Sequence, residues 1–301
     1  MSLARQFLVA WRQSSLRWRG SLAKLGRCVT ALCALAISPG VLADTPAHLL
    51  KTNQVAQLAG DLASVQQRFE KGELTEFDLR NAFRFFYDLD EISARNLTSW
   101  ASAEPTSYVA HLALGIYFKR RGMDARGDKD IAGTSQGALD QMKAFHKKAG
   151  EELRASLAMT RKPYLSTFHL LTVSLQLGDQ DTSFEMVHRA NQILPDNSLV
   201  RNRYAFSLTP RWGGSYAQLD KFIADTKAEH APAGVVAQLE AIEHDDKGRA
   251  LEEQNQHAAA MEHFKKALEL AVRAEGTFAA DFLKASRRYA CAGQNASPVC
   301  R

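Results

Sequence analysis

The sequence has little of what a sheet protein needs. No run alternates Val, Ile or Thr with aromatics over strand length, which excludes a β-sandwich or barrel and leaves an all-helical reading. Cysteine is scarce, four in 301 residues, and no Cys-x-x-Cys pair occurs, which argues against a zinc ribbon or a dithiol redox motif. The chemical signatures are missing too. There is no His-Glu-x-x-His, no phosphate-binding glycine loop and no Gly-x-Ser-x-Gly. The nine histidines are scattered. His257 and His263 are too far apart to share one helix face, and His111, His169 and His188 sit within helical patterns, where a core or solvated histidine is the simpler reading. No catalytic residue, metal site or cofactor is expected from these residues.

Acid is absent from residues 1–43, which hold six basic side chains (Arg5, Arg12, Arg17, Arg19, Lys24, Arg27). The remainder carries 32 basic against 33 acidic residues, so the formal +5 belongs to the leader and no global basic field for nucleic acid is left. The segment from Cys28 to Ile37 is an apolar core of signal-peptide length, broken by Pro39 and Gly40. "VLA" before Asp44 matches a small-residue cleavage site between Ala43 and Asp44. A membrane anchor would need ~20 apolar residues, and a mitochondrial transit peptide would lack the compact apolar core. Thr30-Ala31-Leu32 before Cys33 is not a lipoprotein box. The expectation is a secreted, periplasmic protein with residues 1–43 as signal peptide and no stable span in the mature chain. Cys291 and Cys300 would then lie in an oxidising compartment, nine positions apart, where a disulfide is favoured over two free thiols.

What the sequence has in abundance is helical periodicity. Leu139, Met142, Phe145, Ala149, Leu153 and Leu157 recur at spacings of three or four, which predicts a helix over about Ser135 to Thr160. Thr75 with Asp78 three later is a capping-box pattern ahead of "FDLRNAFRFFYDL". A helix is expected after Pro105, ending at Gly122, and others near 47–71, 89–101, 163–177, 181–194, 198–208, 215–229, 232–253, 256–275 and 278–290. Residues 120–137, with four glycines and no periodicity, read as the one long loop. The segment Phe83 to Leu89, an aromatic cluster of four, reads as a hydrophobic anchor, with a ligand groove as the alternative, and "EHDD", Glu243 to Asp246, as a solvated face or helix end.

Repeats are visible. Ala260, Phe264 and Ala267, with Gly248 twelve before, follow the small–aromatic–small pattern of a tetratricopeptide hairpin. A degenerate copy covers about 164–197 through Leu170, Leu171, Gly178, Ser183, Ala190 and Pro195. Ala190 and Ala267 are 77 apart, not a multiple of the 34-residue unit, so a non-standard unit lies between. It contains "TPRWGGSY". That motif, with Ala125-Arg126-Gly127 upstream, resembles a widespread bacterial family of unknown function whose members are all-helical and similar to tetratricopeptide proteins. The resemblance covers roughly 105–275 and implies the fold, not an activity. The family has an aromatic before Ala-Arg-Gly, whereas Met123 and Asp124 stand there in this chain.

The expected fold is therefore all-α: antiparallel hairpins stacked as a right-handed, tetratricopeptide-like superhelix over 105–290, after an N-terminal helical segment, 44–104, and before a tail, 291–301. In "PRWGGS", Pro210 ends a helix, Gly213 and Gly214 allow positive φ and close backbone approach, and Ser215 caps the next helix with Gln218 at the box position. Trp212 is expected to plug the gap between hairpins, the alternative being that it faces a groove with Arg211. Arg126 and Thr134, ahead of a long helix N-terminus, are the other binding candidates, with a plain cap at Thr134 or Ser135 as the alternative. The leading function is a non-enzymatic interaction protein whose partner is a protein or extended peptide. The alternative is an enzyme, such as an envelope-polymer hydrolase, with a polar pocket near 120–137 and Arg211.

Overall fold

The computed structural model describes residues 45–129 and 133–274, and these form twelve α-helices, two 3-10 turns and no strand. The expected cleavage site at Ala43 and Asp44, the helix near 278–290 and the tail lie outside the described residues. The Cys291–Cys300 disulfide has to be corrected: no disulfide is found, the described residues contain no cysteine, and both thiols lie outside them.

The N-terminal part comprises α1 (Pro46–Lys51), α2 (Val55–Glu70), α3 (Glu76–Ala82), a 3-10 turn (Arg84–Tyr87) and α4 (Glu91–Ala103). One helix was expected over 47–71, but Asn53 takes φ 59° and divides it. The Thr75–Asp78 capping box forms in both directions, with the Asp78 amide donating to Thr75 Oγ1 at 3.2 Å and the Thr75 amide to Asp78 Oδ2 at 3.0 Å. Next come α5 (Tyr108–Arg126), α6 (Gln136–Ser156), α7 (Tyr164–Leu177), α8 (Gln180–Ile193), α9 (Leu199–Ser207), a second 3-10 turn (Pro210–Trp212), α10 (Tyr216–Ala228), α11 (Ala233–Glu253) and α12 (His257–Arg273).

Three pairs pack as hairpins: α5 on α6, α7 on α8, and α11 on α12. The first helices of successive units are also neighbours, α5 against α7, α7 against α9, and α9 against α11. The result is an all-helical stack of helix pairs. Small residues set the closest approaches. A Cβ on Gly248 would lie 2.7 Å from Phe264, and one on Gly115 2.6 Å from Leu153. Gly122 corrects a boundary. It was expected to end its helix, yet α5 runs on to Arg126 and stops at Gly127, φ 75°. Gly122 is where His146 of α6 crosses, with 2.4 Å left for a Cβ. The predicted 120–137 loop is shorter at its start by the same turn.

The core is continuous from Leu49 to Val200, with smaller apolar clusters under α10–α12. One polar tie locks the N-terminal part onto the stack. Buried Glu76, at the start of α3, accepts from the Ser198 amide at 2.8 Å, Ser198 Oγ at 2.7 Å, the Leu199 amide at 3.2 Å and the Tyr164 hydroxyl. Ser198 makes no side-chain cap of its own, so the free amides at the start of α9 are capped by a carboxylate far away in the chain.

Candidate functional site

The corner behaves as a built joint. Thr209 is extended, Pro210 opens the 3-10 turn, and Gly213 takes φ 92°. Gly214 approaches its own chain so closely that a Cβ would sit 2.2 Å from the Leu208 carbonyl oxygen. Ser215 Oγ accepts from the Gln218 amide at 3.2 Å; the Gln218 side chain does not return to the Ser215 amide but accepts from Ser215 Oγ at 3.1 Å. The plug expected of Trp212 is not there, because the residue is 53% exposed. Phe206, Leu208 and Phe222, packed against Leu219 and Ile223, already fill the space beneath the corner.

Arg211 is committed to α11. Its Nε donates to Asp246 at 3.1 Å and Nη1 to Glu253 at 3.2 Å, while the Tyr216 hydroxyl donates to the other Asp246 oxygen at 3.0 Å. The "EHDD" run is therefore no solvated face: Glu243, Asp245 and Asp246 are buried, and each has a basic partner, Lys247, Arg249 and Arg211 respectively. Arg126 is the last residue of α5, and Ser135, not Thr134, caps α6 by accepting from Ala138 at 3.3 Å. Thr134 Oγ1 points its donor back to the Lys129 carbonyl at 3.5 Å. The pocket that the enzyme reading needed would join Arg126 and Thr134 to Arg211, whose ion-pair partners are instead on α11. Among the described residues no three His, Cys, Asp or Glu side chains are grouped to hold a metal, and no helix is long and apolar enough to cross a membrane.

A different constellation stands out, where α3, the first 3-10 turn, α5, α7 and α9 meet. Lys119 of α5 is 7% exposed and His169 of α7 only 1%. Lys119 Nζ lies 2.9 Å from His169 Nδ1, donates to the Tyr87 hydroxyl at 3.2 Å, and sits 4.7 Å from the Tyr87 ring centroid. Two guanidiniums share one neighbouring ring: Arg80 of α3 is 5.5 Å and Arg203 of α9 5.9 Å from the centroid of Phe168. The rings account for part of this grouping, since cations over aromatic faces are attracted to them.

The charge does not balance. Among the described residues no carboxylate forms an ion pair with Arg80, Lys119 or Arg203, and the charges that act on Lys119 are Arg203, Arg80 and Arg120. Burial and these cations push the Lys119 ammonium well below the usual lysine range. Burial, then Lys119, Arg80 and Arg203, hold His169 neutral. Burial and Arg80 bring even Arg203 down to about 10. Two donors are left over. If His169 Nδ1 accepts from Lys119, its hydrogen is on Nε2, and Nε2 is buried without a partner. Arg203 Nε is likewise buried with no acceptor. Buried donors without acceptors and cations without a counter-charge are both costly, and an anion is the chemical species that would satisfy both.

None of these residues was singled out as a site from the sequence except as a plain helical histidine (His169) or part of an aromatic anchor (Tyr87). One signal was available: His169 and Arg203 are 34 positions apart, one repeat length, which puts them on first helices of neighbouring units. Comparison with family models, curated proteins and solved structures gives no match, so the site is read from its own geometry.

Proposed function

We propose that this chain is an exported binding protein, not an enzyme, built as a tetratricopeptide-like right-handed superhelix whose first-helix row takes a negatively charged ligand. The observation that carries the reading is the grouping of Arg80, Lys119 and Arg203, from three separate helices, with no carboxylate among them. A fold that gathers like charges without using them loses stability, and such local costs persist where a ligand repays them. The export half rests on the leader, and the superhelix on the succession of first helices and on the family resemblance of Arg211 to Ser215. A peptide partner would present its acidic groups to the same row.

The test is thermal stability in a panel of anions at matched ionic strength: phosphate, sulfate, citrate and poly-L-glutamate. A ligand that binds only the folded state at about 100 times its Kd adds about 2.7 kcal/mol, which is several degrees for a chain of this length. At least one anion should raise the wild-type melting temperature and leave Arg203→Gln unmoved. If every anion acts alike on both proteins, the reading fails.

A further inference from the structure

Resting on that reading, we propose that the cluster of Arg80, Lys119, His169 and Arg203 is a binding site for a small phosphate monoester or inorganic phosphate, taken as the dianion. Compactness is the first argument. The donors are not spread along a groove as an extended acidic chain would need. The Lys119 ammonium touches Tyr87 and His169, and both guanidiniums lie within 6 Å of one ring centroid. A carboxylate brings two oxygens and one charge to such a point. A phosphate monoester brings three terminal oxygens and close to two charges at neutral pH. Guanidinium forks match those oxygens in pairs, and an ammonium serves as a point charge beside them.

Charge bookkeeping is the second argument. Arg80 and Arg203 supply two positive charges that the described protein leaves unbalanced, which a dianion offsets and a single carboxylate does not. Once the dianion is in place, the repulsion that suppresses the Lys119 charge is cancelled, and the amine can hold a proton. Every ionisable group facing Lys119 bears on this. Arg80 comes from α3, Tyr87 from the 3-10 turn (with exposed Arg84 acting on Tyr87), Arg120 from its own helix, His146 from α6, His169 from α7 and Arg203 from α9. Of these Arg120 is paired with Asp124 at 2.8 Å, and His146 is kept neutral by burial, its pKa pushed down to about 4. No group in this set turns negative below the titration of Tyr87, which burial raises further. At a pH where the phosphate is already the dianion, above its second pKa, binding therefore takes up a proton at Lys119. The burial of Lys119 and His169 favours a small soluble phosphate over the face of a lipid bilayer, whose headgroups approach from one side only.

The experiment is isothermal titration of the purified protein with inorganic phosphate and with glycerol 3-phosphate, in two buffers of different ionisation enthalpy. Acetate, poly-L-glutamate and vesicles containing phosphatidic acid serve as the comparison probes. Both phosphates should bind, acetate should not, and the enthalpy should differ between buffers by the amount that proton uptake requires. Arg203→Gln and Arg80→Gln should each weaken phosphate by about tenfold or more, the scale of a charge-assisted contact. Lys119→Met should abolish the buffer dependence, and a melting curve shows that it is folded. Binding of poly-L-glutamate without either phosphate would overturn the phosphate assignment and leave the general reading standing. Binding to vesicles alone would overturn it as well. Silence from every anion would remove both readings, and phosphate affinity equal in wild type and all three variants would put the ligand elsewhere.

Discussion

Two regions of this molecule use arginine in opposite ways. At the Trp-Gly-Gly corner, Arg211 meets Asp246 and Glu253 from α11, Tyr216 completes the set, and the neighbouring acids Glu243 and Asp245 have their own basic partners. On α9, the helix that leads into that corner, Arg203 shares a phenylalanine ring with Arg80 of α3, and both face Lys119, with no acid in the group. The corner is closed in charge and in geometry, which is the economy of a structural joint. The inner cluster is closed in neither. It is the conspicuous motif, the corner, that reads as architecture, and the inconspicuous residues that read as a site.

The comparison can be broken most forcefully at Gly214. Its substitution by Ala would drive a Cβ into the Leu208 carbonyl, backbone against backbone, where no rotamer can yield. A loss of about 3 kcal/mol is expected, the upper part of the range for overpacking, read as a denaturant midpoint shift. A loss under a few tenths would mean the corner is not rigid. Next is Asp246→Asn, which removes the charge shared by Arg211 and Tyr216. Hydrogen bonds to charged groups contribute about 1.5–3 kcal/mol, so about 2 kcal/mol of stability should go, while anion binding is unchanged.

Lys119→Met sharpens the contrast because its sign is reversed. Removing a buried, unbalanced amine should leave stability unchanged or raise it by about 1 kcal/mol, since apolar replacement of buried charge is often favourable. The gain depends on pH. The folded-state pKa of Lys119 lies below its unfolded value, so the unfolded chain binds more protons in the interval between them. Wild-type stability should therefore climb as pH rises through that interval, towards the ordinary lysine pKa, and the advantage of Lys119→Met should shrink with it. Urea melts of both proteins at several alkaline pH values check this. A Lys119→Met protein that is less stable throughout would mean that the amine is an ordinary structural donor. The smallest effect belongs to Trp212→Ala. A half-exposed ring over an already filled corner should cost about 0.5 kcal/mol or less, a change in melting temperature of a degree or so.

The helices were legible because their apolar spacing is local. What could not be read was what each glycine is for. Gly122 sits after three basic residues, as a helix stop would, and its reason for being there is His146, which arrives from the next helix. Gly127, five positions on, does the stopping. The polar corner bonds were local too, and Ser215 and Gln218 were found. Trp212 was misjudged because its size argued for burial while the filling residues, Phe206 and Phe222, come from the two helices on either side. The cationic cluster was hidden for a stronger reason. Each member, taken alone on its helix, looks like a solvated side chain, and only the packing of α3, α5, α7 and α9 turns four ordinary residues into a concentration of charge. Even the absence that defines it, the missing acid, is a property of neighbours in space.

The Glu76 tie has a consequence in time. During synthesis Glu76 is made 122 residues before the Ser198 amide that it will serve. Until then the carboxylate has only the Tyr164 hydroxyl to bond, and the start of α3 is not yet tied to α9. A contact so distant in sequence costs loop entropy before it returns anything, and such contacts form slowly. The cationic cluster is therefore among the last parts of the molecule to exist. A chain interrupted before residue 198 could complete its early hairpins and would still lack α9, and with it Arg203, the second guanidinium of the cluster.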